Sequence, residues 1–345
     1  MPSDKIGMGQ GLATHALTEG PADGTATGPV RKPAGGTERR ARTAERLQRR
    51  VMLVSVFVPF AGFLIALATW QMTMGPLALA LLGFMYALSI LGITVGYHRL
   101  FAHRAFKAKR AVQCTLAALG CMAAQGPVIS WVANHRRHHR YSDKPGDPHS
   151  PHLHAGGWGA TLRGFWHAHV GWTFKPQDIR EWSRYAPDLL HDPAIFSIHR
   201  LYWLWVALGL IVPALIGGLL TWSWTGASQG FLWGGLVRLF LLQHVTFSIN
   251  SISHTFGSRD FVTEDRSRNN LWLALISFGE GWHNNHHAFP NSPVLGLYWW
   301  QIDFGAWVIK ALRFAGLASE LRLPAQLGER GVLTAGARNT RKEGP

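Results

Sequence analysis

A chain of 345 residues that is 47% hydrophobic and only 15% charged carries too little charge to clothe an ordinary soluble surface, which points to a membrane protein. The formal net charge of +15 invites a nucleic-acid reading, but the basic residues stand in tails and loops beside apolar runs. The positive-inside rule and anionic lipid headgroups account for that placement, so the bilayer is the expected partner and nucleic acid is not.

Residues 1–50 are rich in Gly, Ala, Thr, Pro and Arg, show no helical or strand period, and read as a disordered basic cytosolic tail. Within it, residues 38–50 have the composition of a short basic helix lying at the membrane surface. No signal peptide is expected, because the first apolar run starts at residue 51 and is too long. Residues 51–97 contain no Asp, Glu, Lys or Arg, and 47 residues suffice for two crossings of about 20 each, turning at residues 71–76. A second uncharged stretch, residues 201–237, breaks at 221–226 and gives two more. The expected fold is all-α: an integral membrane protein with four transmembrane helices in two hairpins and a cytosolic helical cap.

Both hairpin turns lack charge, whereas basic clusters at residues 39–50, 99–110 and 259–268 flank the other ends. The positive-inside rule then places both termini and every histidine cluster in the cytosol. Residues 111–132 are apolar but interrupted by Gly120, Gly126 and Pro127, and read as one helix dipping into the interface. Residues 143–200 and 269–310 supply the cap; the membrane domain is taken as 51–322, and residues 323–345 as a second disordered tail.

The chemistry lies in three histidine clusters. His135-Arg-Arg-His138-His139 and His283-Asn-Asn-His286-His287 both read H-x-x-H-H, and on a helix i, i+3 and i+4 share a face. His98-Arg-Leu-Phe-Ala-His103 is H-x₄-H after a long apolar run. One such triplet can be chance or a solvated polar face, but together they hold eight of 18 histidines and all border apolar segments. Neutral imidazole ligates iron, zinc, copper and nickel, so a polynuclear metal site is expected. Cys114 and Cys121 form neither a disulfide framework nor a C-x-x-C site, so histidine rather than thiolate must hold the metal. Zinc hydrolases need only three ligands and an open position, so this excess of histidine suggests oxygen chemistry on iron, facing a lipid chain.

These residues match a family. His98-Arg-Leu-Phe-Ala-His103, Asn134-His135-Arg-Arg-His138-His139 and Gly279-Glu-Gly-Trp-His283-Asn-Asn-His286-His287 resemble the three histidine boxes of membrane fatty-acyl desaturases of the stearoyl-CoA type, here of a bacterial kind. Asp147-Pro148-His149, His169-Val-Gly-Trp172 and Asn250-Ser-Ile-Ser-His254 extend the match over about residues 50–310. The resemblance implies two iron ions. One would be held by His98, His103, His135, His139 and His286, the other by His138, His254, His283 and His287, with Asn250 close by through a water. It implies an O₂-dependent, two-electron insertion of a cis double bond into a saturated acyl chain, with catalysis resting on the iron ligands and on no separate acid or base.

The resemblance also implies a kinked substrate tunnel shaped by Gln125, Trp131 and Thr246, favouring the Δ9 position, with Phe247 where the family has a tryptophan. It departs from the pattern at Ala133 and Asn134, where an Arg-Asp pair would contact coenzyme A, at Gly126, and at Pro176-Gln177 in place of an Arg-Lys pair. The substrate is therefore acyl-CoA held by other basic residues, or a lipid-linked or carrier-protein chain. No electron-carrier motif is visible, so a ferredoxin or a cytochrome-b5-type donor with its reductase is the expected partner. Arg238 and His244 lie within the fourth span and read as bundle contacts. Two other classes remain: a diiron lipid or alkane hydroxylase, and a histidine-rich metal transporter, which would place its ligands nearer the bilayer midplane.

Overall fold

The computed structural model describes residues 35–324 apart from residues 155 and 176–179, with side chains from residue 51 onward; the expected tails 1–34 and 325–345 and the Pro176-Gln177 departure lie outside the described residues. The chain divides into two compact units, Met1–Ala44 and Glu45–Pro345, and apart from the start of the first helix everything below concerns the second.

Four helices among the described residues are long and apolar enough to cross a membrane: Val51–Ala68, Pro76–Ala102, Tyr202–Thr221 and Trp224–Ser251. The first is the end of α1 (Gly35–Ala68), which starts well before residue 51. Residues 38–50 hold Ala, Glu, Arg, Leu and Gln with no Gly or Pro to stop a helix, and the short basic helix expected there is present as the start of α1, continuous with the first span. The first hairpin turns through Gly75 into α2 (Pro76–Leu91), where Pro76 at the first helical turn loses nothing by lacking an N–H. The second turns at Trp222, in the left-handed region, between α6 (Tyr202–Thr221) and α7 (Trp224–Gln229), whose cap Ser223 accepts the Gly226 N–H at 3.0 Å.

Half or more of the second and fourth spans is buried, 50% and 61%, against 17% for the first and third, so they form the inner pair and the others face lipid. Their lengths matter too. At 1.5 Å per residue, 27 and 28 residues reach about 40 Å, roughly 10 Å beyond the hydrocarbon core.

α2 does not end as an α-helix. It continues as a π-helix, Gly92–Ala102, and α7 runs through a second one, Gly230–Val237, into α8 (Arg238–Ser251). The first π segment packs backbone to backbone on α3 (Arg110–Met122): a Cβ on Gly92 would lie 2.3 Å from Gly120 N. The single interfacial helix expected over residues 111–132 is in fact α3 and α4 (Val128–Tyr141), parted by a turn. Ala124 and Gly126 there take positive φ of 54° and 101°, and Pro127 cannot donate, so one helix ends and another starts. Cap helices α5 (Trp158–His169), α9 (His283–Ala288) and α10 (Phe304–Phe314) complete the frame, with a short antiparallel pairing of Lys107–Ala108 and Ala318–Ser319.

Arg238 is fully buried and has no carboxylate partner. Its guanidinium donates to Ser89 Oγ at 2.7 Å, Met122 O and Gly209 O at 2.8 Å and Gly234 O at 3.1 Å, joining α2, α3, α6 and its own helix. His244 is part of the packing as well: its Nδ1 lies 3.0 Å from His169 Nε2 on α5. Arg238→Met strips four acceptors of their donor and should lower stability by about 3 kcal/mol, read as a lower melting temperature of the detergent-solubilised protein.

Candidate metal centre

Each histidine is placed by a different local device. In α4 the i, i+3, i+4 spacing turns His135, His138 and His139 inward. In α9, Asn284 and Asn285 face the protein: Asn284 Oδ1 accepts the Asp260 and Phe261 N–H groups, both at 2.8 Å, and Asn285 Nδ2 donates to Gln301 Oε1 at 2.8 Å. That leaves His283, His286 and His287 on the opposite face. His98 and His103 depend on the π-helix. Five residues on an ideal α-helix are about 140° apart, but here His103 N bonds His98 O at 3.1 Å, an i to i+5 bond, and the two rings come to 4.8 Å. His254 follows α8, four residues after Asn250.

The nine rings converge in two groups. Ligand atoms of His98, His103, His135, His139 and His286 lie within 4.8 Å of one another, as do those of His138, His254, His283 and His287. In the first, Nε2 atoms face each other at 3.0 Å (His98–His286), 2.9 Å (His286–His139) and 2.8 Å (His103–His135). In the second, His283 Nε2 lies 3.0 Å from His254 Nε2 and 3.1 Å from His287 Nε2.

The outward nitrogens meet carboxylates. His254 Nδ1 lies 2.9 Å from Asp143, His287 Nδ1 2.7 Å from Asp265, His138 Nδ1 3.0 Å from Asp147, and His98 Nδ1 2.6 Å from Glu280. Burial works against ionisation of all four acids, yet their imidazole and other donors prevail and hold them below the usual carboxylate range. Such acids accept, so Nδ1 of His254, His287 and His138 donates and each of those neutral rings presents a bare lone pair at Nε2. Burial, reinforced by neighbouring imidazoles, pushes His103, His135, His139, His283 and His286 far below the usual histidine range and His287 down to about 4. Neutral rings are the ligating form.

In the second group three of four rings thus aim lone pairs inward, and His138 Nε2 is buried with no partner at all. A proton on His283 can satisfy one neighbour only. Repulsion among the rest is relieved by a cation, and the all-imidazole donor set fits iron.

The site forms one wall of a partly open cavity lined by Ile90, Ile93, Trp131, Thr246, Ile249 and Asn250 beside His98, His135, His138, His283, Ser277 and Glu280. Trp131 stacks on His135 at 5.0 Å, and Gln125 Nε2 donates to Thr246 Oγ1 at 2.8 Å. Phe247 lies outside this lining, on the α5 side of α8, 5.8 Å from the His169 ring.

The model of the fatty acid desaturase family matches residues 74–317. The chain is 49% identical over 281 residues to a hex-5-enoyl-[acyl-carrier protein] acetylenase of Moorena producens, covering 81% of this chain and 87% of that one. It is 38% identical to Delta-9 acyl-lipid desaturase 1 of Arabidopsis thaliana, covering 82% and 87%, and 39% identical to an sn-1 stearoyl-lipid 9-desaturase of Synechocystis, covering 68% and 69%. The chain belongs to the fatty acid desaturase family. It is therefore a membrane oxidoreductase, and its histidine clusters are able to bind metal.

Several residues of this desaturase escaped the sequence reading. Asp143 and Asp265, the acids behind His254 and His287, have no histidine-like spacing, and Asp147 and Glu280, beside His138 and His98, stood out only as parts of motifs. The available signal was scarcity: few acids lie between the boxes, and a lone Asp or Glu within a histidine-rich cap has an imidazole to serve. His149, 4.5 Å from the His138 ring and beside Asp147, forms a further group with those two and lies outside the nine.

Asp265→Asn, which leaves His287 without its anionic partner, should weaken retention of one of two metals about 10- to 100-fold while the other stays. Metal per chain, measured by elemental analysis along a chelator titration, checks this as a drop from two to one.

Proposed function

We propose that this desaturase inserts a cis double bond at the Δ9 position of a saturated acyl chain, with two irons held by the nine histidines, and with Asn250 near the second iron through a water. The balanced reaction consumes the –CH₂–CH₂– unit, one O₂, two electrons and two protons, and yields –CH=CH– and two waters. The observation that carries the reading is that histidines of both groups line one cavity together with Ile90, Ile93, Ile249 and Trp131. Bound iron would supply the redox chemistry that activates O₂ and removes the two hydrogens.

The chain's own residues bind, bend and align. Ile90, Ile93 and Ile249 take methylenes out of water, each worth about 0.8 kcal/mol. Trp131 fixes the His135 ring plane, and the Gln125–Thr246 hydrogen bond supplies the polar edge about which the chain bends. Phe247 acts from behind α8, through packing. Ala133 is buried and offers no partner for a phosphate, which favours a lipid-linked chain over acyl-CoA. The basic residues flanking the histidine ends support a cytosolic site, at the inner membrane of a bacterium, served by a ferredoxin or cytochrome-b5-type donor.

A second reading has one observation behind it. The acetylenase relative is named for an already unsaturated chain, so a monounsaturated substrate would give a triple bond or a second unsaturation.

Expression in a desaturase-deficient host should produce new monounsaturated fatty acids with the bond at carbon 9, absent with His286→Ala at equal membrane level. Lipid analysis by mass and bond position reads this. Hydroxy acids would move the assignment to a hydroxylase, and alkynyl chains to an acetylenase. Thr246→Leu, which removes the acceptor of Gln125, should cut product at least tenfold or spread the bond over neighbouring carbons.

A further inference from the structure

α5 (Trp158–His169) buries the wrong residues for a helix in water. Its large apolar side chains are the exposed ones: Trp158 is 77%, Leu162 54% and Trp166 62% accessible, and their i, i+4, i+8 spacing lines them up along one stripe. What the helix turns inward is Gly164, His167 and Ala168. A helix on a water-facing cap does the reverse, and a contiguous exposed stripe, unlike a single exposed residue, calls for something to cover it.

The orientation of α5 is locked. A Cβ on Gly164 would lie 2.0 Å from Pro151 O, so the helix is pressed against the chain that precedes it. At its other end, His169 Nε2 lies 3.0 Å from His244 Nδ1 and His169 Nδ1 3.0 Å from Ser251 Oγ, both on α8. α5 cannot roll to hide its stripe without losing these contacts.

The same contacts set its depth. The fourth span starts at the exposed Trp224. At about 1.5 Å per residue, His244 lies about 30 Å along the span and Ser251 about 40 Å. The contacts with α5 therefore run from the edge of a hydrocarbon core about 30 Å thick into the headgroup layer. Neighbouring side chains agree with that depth. Phe60, on the lipid-facing first span, meets Phe240 at 5.9 Å, Phe240 meets His244 at 4.4 Å, and His244 meets His169 at 5.2 Å. An aromatic run thus joins α5 to a surface that already faces lipid. Tryptophan is favoured in the interfacial layer, and the exposed Arg163 beside the stripe suits lipid phosphate.

We propose that α5 lies in the plane of the membrane, with Trp158, Leu162 and Trp166 inserted among the glycerol and upper acyl groups of the leaflet at the histidine end of the spans. Part of the segment read from sequence as cytosolic cap is then a membrane-embedded surface whose partner is lipid. It bears on the end of α8 that carries Thr246, Ile249 and Asn250, so the leaflet braces one wall of the cavity. This surface depends on the spans and on no step of the reaction.

The test uses the full chain in nanodiscs of phosphatidylcholine and phosphatidylglycerol. A nitroxide on Leu162→Cys, in a Cys114→Ser background, is read by its collisions with O₂, which concentrates in lipid, and with a nickel chelate, which stays in water. The background without Leu162→Cys measures any label at the buried Cys121. The ratio of O₂ to nickel collisions should exceed that of a label at the exposed Lys144→Cys by about fivefold or more and lie below that of Leu64→Cys on the first span. A ratio equal to that at Lys144→Cys places the stripe in water. A label shielded from both reagents places it under protein, a second copy or a partner. Either result overturns the proposal. A second readout needs no label: comparing wild type with Trp158→Phe plus Trp166→Phe isolates two of the 16 tryptophans. Their emission should be quenched by lipid brominated on its acyl chains near the glycerol and spared by acrylamide, and the converse overturns the proposal. Neither readout uses turnover, so this surface and the desaturase reading stand or fall separately.

Discussion

Imidazole lone pairs brought together away from water repel one another, and the rest of this structure follows from managing that repulsion. Nε2 atoms sit 2.8–3.1 Å apart in both histidine groups. Such a cluster is tolerable only if the rings stay neutral and a cation lies among them. Burial favours the neutral form of His103, His135, His139, His283, His286 and His287, and Asp143, Asp147 and Asp265 set up the second by accepting from the far nitrogen of three rings. The frame behind the rings is correspondingly stiff. Buried Arg99 ties the π segment to Asp303 at 2.9 Å and Pro293 O at 2.9 Å, and Asp303 in turn caps α10.

The membrane imposes the other constraint. A metal cation with its carboxylate-backed ligands is costly to hold in hydrocarbon, and an acyl methylene is costly to take out of it, so a site that joins the two is favoured at the boundary. The over-long inner spans solve this by lifting His98 and Asn250 clear of the apolar slab while Ile90 and Ile249 still line the cavity below them. Arg238, a buried charge in the fourth span, is tolerated because backbone carbonyls and a serine exposed by close helix packing take up its donors.

Much of this was written in one dimension. Two charge-free stretches, each twice the length of a crossing, leave a polypeptide in lipid no option but paired helices, because every backbone group must be satisfied within its own segment. The H-x-x-H-H spacing places three rings on a face by helix geometry alone. Residue type and spacing are local properties, and the spans and histidine boxes needed nothing more.

Other features depended on contacts between distant residues. H-x₄-H does not share a face on an α-helix; only the π-helix, packed through Gly92 on Gly120, brings His98 and His103 together. The apolar run 111–132 has no charge to betray its break, and the split into α3 and α4 rests on positive φ at Ala124 and Gly126. Phe247 follows Thr246 in sequence, yet the helix turns it to the opposite side of the cavity wall. The chain by itself therefore determined the spans, the boxes and the chemistry of the donors, because those are set by composition and period. Tertiary structure alone decided which rings from different boxes pair and that Asp143 orients His254, because those contacts join residues from 32 to 188 positions apart, a separation over which spacing carries no information.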